Sequence, residues 1–157
     1  MRLLYLLFTL FLLSGCSHRY QPNPSQNTTH KSYDTSIKTA LYHAYQRWKK
    51  TPYRYGGESL HGVDCSSLVQ HIYRDYFGVN LPRTTKEQAK SGYWIARRDV
   101  REGDLVLFKT GYNSRHSGIY LEKGNFINSS SKYGVTISNL NNPYWRSKYW
   151  QSRRVLP

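Results

Sequence analysis

The chain has 157 residues, which is enough for one domain with a single hydrophobic core and too few for two. Hydrophobic residues make up 38% of it and no long charged or low-complexity tract interrupts them, which excludes a wholly disordered protein. The net charge of +14 favours polyanions such as nucleic acid, anionic lipid or cell-wall polymer, although a solvated positive face explains the charge equally well. The basic residues are scattered and no signature of a nucleic-acid module is present, so we expect no nucleic-acid partner.

The first 15 residues are predicted to be a signal peptide. Arg2 supplies positive charge, residues 3–13 are apolar apart from one threonine, and the two residues that follow are small. An apolar run of this length is too short to span a bilayer and is typical of a secretory signal.

The motif that ends this segment predicts a lipid anchor. Leu13-Ser14-Gly15-Cys16 resembles the lipobox of bacterial lipoproteins. The resemblance implies that Cys16 becomes the first mature residue and carries lipid, including palmitate, which anchors the protein to a membrane. Ser17 follows, where lipoproteins retained in the inner membrane typically carry Asp, so the resemblance implies the periplasmic face of the outer membrane. The alternative is an ordinary signal peptide followed by an incidental cysteine.

A polar segment separates the lipobox from the rest of the chain. Residues 21–27 have no apolar periodicity, so residues 16–33 are predicted to be the lipidated cysteine and a flexible tether. Residues 34–157 are then predicted to form the folded domain.

Helices are predicted in the first half of this domain. Asp34 can cap a helix over residues 35–49, where the apolar residues fall on one stripe. A second helix is predicted to begin near Cys65 and to end at Gly78. A helical turn is expected at residues 85–90.

Strands are predicted in the second half, where the apolar period changes. The links between them are short and contain Gly or Asn, which indicates antiparallel pairing. Helices followed by strands are typical of an α+β domain. The predicted strands cover residues 104–108, 117–121, 125–128 and 134–138.

Cys65 is left without a disulfide partner if Cys16 carries lipid, because the chain has only two cysteines. An unpaired cysteine in a secreted protein is either a buried inert thiol or a reactive group. At the first turn of a helix, free main-chain amides and the helix dipole favour the thiolate, which is the nucleophilic form. Asp64 is placed to cap the same helix, a structural role.

A thiolate nucleophile needs a base and a group that orients the base. Strand alternation places His116 on one face of the second strand, and Asn128 can share that face from the third, beneath the helix that carries Cys65. Taken alone, His116 could be a solvent-facing histidine and Asn128 a turn residue. Together with Cys65 they form a papain-like arrangement. The histidine spacings of zinc peptidases are absent, so we expect no metal.

Five sequence blocks add a more specific signal. They are residues 52–57 (Pro-Tyr-Arg-Tyr-Gly-Gly), 62–66 (Gly-Val-Asp-Cys-Ser), 81–85 (Leu-Pro-Arg-Thr-Thr), 103–108 (Gly-Asp-Leu-Val-Leu-Phe) and 115–120 (Arg-His-Ser-Gly-Ile-Tyr). In this order they resemble the NlpC/p60 family of cell-wall peptidases. The resemblance implies a papain-like α+β fold with helices packed on an antiparallel sheet. It also implies a cysteine peptidase that cuts peptidoglycan peptides without a cofactor, and we favour a monomer.

The resemblance assigns roles to individual residues. Cys65 aligns with the nucleophile, His116 with the general base and Asn128 with the third polar residue. Tyr53 aligns with a tyrosine whose hydroxyl lies near the nucleophile and helps to stabilise the oxyanion, together with the Cys65 amide. Two further residues match family positions near the substrate peptide, Ser66 and Arg83.

Two positions depart from the family pattern. Asn128 stands where the family often has His, although Asn can accept an imidazole N–H, as it does in papain. Ser67 stands where Gly often follows Cys-Ser, which we expect to narrow the groove near the nucleophile. These departures leave open a non-catalytic cell-wall-binding lipoprotein of the same fold; an acyltransferase on this fold is a third possibility that no residue demands.

The family resemblance also limits the bond that is cut. Family members cleave either D-glutamyl–diaminopimelate or the D-alanyl–diaminopimelate cross-link. Similarity to outer-membrane murein endopeptidases, which extends into the tail over residues 142–156, favours the cross-link.

Overall fold

A computed structural model describes the backbone of residues 24–157 and the side chains of residues 36–157. The predicted signal peptide, the lipidation site at Cys16 and residues 17–23 of the predicted tether lie outside the described residues. Within the described range, no helix is both long and apolar enough to cross a membrane.

Helix α1 spans Pro24–Trp48 and begins earlier than the predicted start at residue 35. Residues 24–33 are therefore helical, and the predicted helix start at residue 35 is wrong. The helix can start at Pro24 because the first turn needs no N–H from that residue, and neither Gly nor Pro follows before residue 48. The prediction relied on apolar periodicity, which this polar extension lacks. The predicted end near residue 49 is confirmed.

Helix α2 spans Cys65–Phe77, as predicted, and a short hairpin leads into it. The hairpin consists of β1 (Glu58–Ser59) and β2 (Gly62–Val63), which were not predicted. Gly78 ends α2 in the left-handed conformation at φ 67°, which glycine adopts without steric cost. The expected helical turn is α3, Thr85–Gln88.

A six-stranded antiparallel sheet forms the second half of the molecule, in the order β3-β8-β4-β5-β6-β7. The four predicted strands are confirmed as β4 to β7, and β3, β8 and helix α4 were not predicted. The segments are β3 (Tyr93–Ile95), β4 (Leu105–Lys109), β5 (Arg115–Glu122), β6 (Asn125–Ser130), β7 (Gly134–Asn139), α4 (Pro143–Lys148) and β8 (Tyr149–Arg154), with a 3₁₀ turn at Arg97–Asp99.

Both faces of this sheet are buried, and each face belongs to a separate apolar cluster. Leu105 and Leu107 point toward α1 and α2, whereas Val106 and Phe108 point toward Trp145 of α4. Burial on both faces explains why β4 is a continuous apolar run rather than an alternating one. The α+β fold class predicted from the sequence is confirmed.

Asp64 fixes the first turn of α2. Its Oδ1 accepts hydrogen bonds from the Ser67 amide at 2.8 Å and from the Ser66 hydroxyl at 3.0 Å. Arg83 donates to both carboxylate oxygens, with the shorter bond at 2.7 Å to Oδ2, and the Gly56 amide donates to Oδ2 at 3.1 Å. Burial raises the pKa of Asp64, but the hydrogen bonds from Arg83, Ser67 and Ser66 outweigh it and hold the pKa below its usual value. The predicted cap is confirmed.

We predict that Asp64→Ala lowers the free energy of unfolding by about 3 kcal/mol, because Arg83 then loses its buried partner and α2 loses its cap. Urea denaturation followed by tryptophan fluorescence measures the change. Asp75→Ala is the matched control, since Asp75 pairs with Arg74 on the exposed side of the same helix, and we expect it to cost less than about 1 kcal/mol. Equal losses from the two variants would contradict the assigned role.

The stability difference between the wild-type protein and Asp64→Ala depends on pH. Because the folded-state pKa of Asp64 lies below its unfolded value, the stabilisation is complete at neutral pH and is lost as the pH falls through the folded-state pKa. The difference in stability between the wild-type protein and Asp64→Ala therefore narrows in acid.

Candidate active site

Cys65 is the first residue of α2 and a free thiol whose side chain is almost fully buried at the base of a groove. Its Sγ lies 3.8 Å from the hydroxyl of Thr85, and that hydroxyl is 3.3 Å from the hydroxyl of Ser117 on β5. The thiol is therefore held between the start of α2 and the start of β5, with one side open to the groove.

His116 links this thiol to Asn128. Its Nε2 lies 3.2 Å from Oδ1 of Asn128, and the same imidazole lies close enough to Cys65 to lower the pKa of the thiol. The three residues that sequence analysis singled out are thus brought together in one connected line, Cys65–His116–Asn128.

The surroundings of Asn128 define how the line is oriented. Its Nδ2 donates to the Ser138 hydroxyl at 2.9 Å and to the Thr136 carbonyl at 3.4 Å. Because a carbonyl oxygen only accepts, the amide nitrogen must face Thr136, which leaves Oδ1 facing His116. Nε2 of His116 must then carry a proton, and in the neutral ring Nδ1 is free to accept the thiol proton.

The pKa of Cys65 is lowered to about 7. Burial alone raises it, but hydrogen bonding to His116 and the charge of the imidazolium outweigh burial. A main-chain hydrogen bond from Ser117 and the hydroxyl of Thr85 lower the pKa further. A thiol with this pKa is ionised to a substantial extent at neutral pH, which makes Cys65 a candidate nucleophile.

Gly118 makes room for the pairing of β5 and β6 at the site. A Cβ at this position would lie 2.7 Å from the Ile127 carbonyl oxygen, 2.7 Å from the ring of Phe126 and 3.3 Å from Cβ of Asn128. Any larger residue would push β6 away from β5. The glycine thus keeps Asn128 within reach of His116.

Trp145 covers His116 and was not predicted as part of the site. The two rings stack with centroids 5.0 Å apart and an interplanar angle of 25°, and Trp145 also packs against Phe108 and Phe126. Stacking restricts rotation of the imidazole and excludes water from one side of it. The only sequence feature near Trp145 is a run of aromatic residues towards the end of the chain. This run lacks the alternation of apolar and polar residues that predicts a strand.

The position of Trp145 corrects one geometric expectation. His116 and Asn128 lie on the sheet face covered by α4, together with Phe108, and not on the face beneath α2. Cys65 meets His116 at the start of β5, where the first turn of α2 comes close to that strand. This face could not be assigned from the sequence because the residues of α4 carry no apolar periodicity that predicts a helix.

The other predicted site residues line the groove. Tyr53 is half-buried beside the thiol; burial raises its pKa, and the negative charges of Cys65 and Asp64 raise it further, so the phenol stays protonated. Arg83 reaches the groove wall, but it donates to Glu58 at 2.7 Å, to Ser66 at 3.0 Å and to Asp64. Ser66 and Arg83 are therefore hydrogen-bonded to each other and to Asp64, the cap of α2.

Ser67 does not narrow the groove, contrary to expectation. It is fully buried and borders a separate cavity of about 100 Å³ with His71 and Gln70, and its hydroxyl has no hydrogen-bond partner there. The first turn of α2 directs this side chain away from the groove.

The groove has two halves that meet at Cys65 and Tyr53. One, the Arg83 half, has a volume of about 690 Å³ and is lined by Ser66, Arg83 and Lys86, among others. The second, the His116 half, has a volume of about 440 Å³. It is lined by His116, Ser130, Lys132, Tyr133, Tyr144 and Trp145, among others. In the described part of the chain, no cluster of three or more His, Cys, Asp or Glu could hold a metal ion.

Comparison with known proteins shows the family of the chain. The model of the NlpC/P60 family matches residues 50–154. The chain is 43% identical over 157 residues to the probable endopeptidase NlpC of Escherichia coli K12, covering 99% of this chain and 100% of that protein. It is 43% identical over 123 residues to the murein DD-endopeptidase MepS/murein LD-carboxypeptidase of the same strain, covering 78% of this chain but only 65% of MepS.

A solved structure of the same family has a similar fold. The crystal structure of an NlpC/P60 family protein from Bacillus cereus superposes with a TM-score of 0.69 at 31% identity, over 76% of this chain and 40% of that one. The matched residues include the helix that begins at Cys65 and the strands that carry His116 and Asn128. The chain belongs to the NlpC/P60 family.

Proposed function

We propose that this protein is a peptidoglycan endopeptidase that uses Cys65 as a thiol nucleophile. The observation that carries the proposal is the connected line Cys65–His116–Asn128 at the junction of the two groove halves, with a thiol whose pKa is about 7. The names of the relatives support the same activity, since one is a murein DD-endopeptidase and another a probable endopeptidase.

The reaction is acyl transfer in two steps. The thiolate of Cys65 attacks the amide carbonyl carbon of a stem peptide, and the main-chain amide of Cys65 and the hydroxyl of Tyr53 stabilise the oxyanion. The imidazolium of His116 gives its proton to the departing amine, which leaves a thioester on Cys65. His116 then removes a proton from water, the resulting hydroxide attacks the thioester, and the acid and free thiol are released. Ser66 and Arg83 form the groove wall on the acyl side.

The bond we propose is the cross-link between D-alanine and diaminopimelate. Support comes from the relative named a DD-endopeptidase, because that bond joins two D centres. Cleavage between D-glutamate and diaminopimelate is the alternative within the same chemistry.

We further propose that the protein is a lipoprotein anchored through Cys16 to the periplasmic face of the outer membrane, where it meets peptidoglycan as a monomer. The support is the sequence Leu13-Ser14-Gly15-Cys16 followed by Ser17. Lipid analysis of the mature amino terminus tests it.

We predict that the apparent pKa of the Cys65 thiol rises in His116→Ala. Without the imidazolium, burial is the largest influence that remains on this pKa, and burial disfavours the thiolate. The rate of iodoacetamide alkylation at Cys65, followed against pH by peptide mass spectrometry, measures it. The wild-type midpoint should lie near pH 7. His61→Ala is the matched control, because His61 is an exposed loop histidine, and a midpoint that did not move in His116→Ala would contradict the assigned pairing.

We predict that the purified protein removes cross-linked dimers from intact peptidoglycan sacculi and that Cys65→Ala does not. Chromatography and mass spectrometry of the released muropeptides measure the loss, and the new chain ends identify the bond. Cleavage between D-glutamate and diaminopimelate within single stems would support a peptidoglycan endopeptidase but contradict the proposed cross-link bond. No change, with Cys65 shown to be reduced, would favour a non-catalytic cell-wall-binding protein, and Asn128→His would then be the variant to test.

A further inference from the structure

The two groove halves differ in which side of the cleaved bond they hold; this inference rests on the proposed function. Cys65 borders both halves, whereas His116 borders only one. Because His116 must deliver a proton to the departing amine, the amine side of the substrate lies in the His116 half. The acyl side then lies in the Arg83 half.

The charged side chains that line the His116 half are all positive. It contains two cationic side chains, Arg115 and Lys132, and no acidic one. Hydroxyl groups supply much of the remaining polar surface. They come from Ser114, Ser130, Ser131, Ser138, Tyr133 and Tyr144, among others. Such a surface suits an anionic ligand that accepts hydrogen bonds, and a carboxylate is the anion that peptidoglycan peptides carry.

The two cations are not equivalent. Nη1 of Arg115 donates to the carbonyls of Gly111, Tyr112 and Ser114 at 3.0–3.3 Å, so Arg115 holds its own loop together. Nζ of Lys132 has no ion-pair or hydrogen-bond partner among the described residues, and it lies 5.1 Å from the centre of the Tyr133 ring. Arg115 keeps its charge but is committed to its own loop through Nη1, whereas Lys132 is free to move its ammonium group to a ligand.

The turn that carries Lys132 is fixed. The hydroxyl of Ser130 accepts hydrogen bonds from the amides of Lys132 and Tyr133 at 3.2 and 3.3 Å. Gly134, at φ 69°, packs so tightly against Thr51 that a Cβ would lie 2.3 Å from the Thr51 carbonyl oxygen. The base of the lysine side chain thus has a defined position at the edge of the groove.

We propose that the His116 half is a carboxylate-binding subsite, in which Lys132 binds the carboxylate on the carbon that bears the departing amine. In the D-alanyl–diaminopimelate cross-link, the amine that is released sits on a carbon that also carries a carboxylate. The diaminopimelate carbon that is bonded to D-glutamate through its amine differs in a stem that continues beyond diaminopimelate. Its carboxyl group forms the amide bond to the next residue, so no free carboxylate is present there. Lys132 is therefore a specificity-determining residue that selects the cross-link.

Two cross-linked muropeptides that differ only at this carbon, one with a carboxylate and one with a carboxamide, test the proposal. With the purified full-length protein, we expect kcat/KM to favour the carboxylate by about 5- to 10-fold, as for one partly exposed charge pair. Lys132→Met should lower kcat/KM for the carboxylate substrate mainly through KM and bring the ratio of the two substrates close to one. High salt should reduce the wild-type preference.

Lys123→Met is the matched control, because Lys123 is exposed in the turn between β5 and β6, and it should keep the wild-type ratio. Thermal denaturation checks that each variant is folded. Equal hydrolysis of the two substrates by the wild-type protein, or an equal loss on both substrates in Lys132→Met, would overturn the subsite alone. Failure to hydrolyse either substrate would overturn the proposed function, and the subsite with it.

Discussion

Ionising a buried thiol is unfavourable. The arrangement of the site depends on an imidazole that stabilises the thiolate by more than burial destabilises it. Burial by itself raises the pKa of Cys65, yet hydrogen bonding and charge from His116 bring it down to about 7. His116 can do this only in one tautomer and one orientation. Asn128 sets the tautomer through the 3.2 Å contact with Nε2, and Trp145 limits the ring rotation by stacking on the imidazole.

The fold holds these groups from separate elements. Asp64 and Arg83 fix the start of α2, so Cys65 sits at a helix end that cannot fray freely. The β5–β6 pairing, which depends on the absence of a side chain at Gly118, brings His116 to Asn128. The aromatic cluster of α4 covers the other sheet face. Each element therefore positions one component of a site that none could form alone.

Much of this could be predicted from the sequence, because the evidence for it is local. Asp64 before Cys65 and Gly78 after the apolar stripe are capping signals, and they defined α2 correctly. The period-2 pattern placed His116 and Asn128 on a common face. Sequence analysis also pointed to Tyr53, Ser66 and Arg83, which do line the groove.

The failures have a common physical origin. The start of α1 is polar and has no apolar periodicity. The last strand and α4 carry polar or aromatic residues that pack only against distant parts of the chain, so their periodicity gave no signal. Trp145 is informative only once α4 is known to fold over β4 and β6. Ser67 was expected in the groove because it follows Cys65 closely, but a helix turns successive side chains by about 100°, which buries it elsewhere.

The role of Cys65 as nucleophile is tested most directly by partial alkylation. The full-length protein would be treated with increasing iodoacetamide, the modified fraction at Cys65 quantified by peptide mass spectrometry, and the hydrolysis of a cross-linked muropeptide measured on each sample. The account predicts that activity falls in proportion to that fraction and reaches zero when Cys65 is fully modified. Hydrolysis that survives complete modification of Cys65 would contradict it.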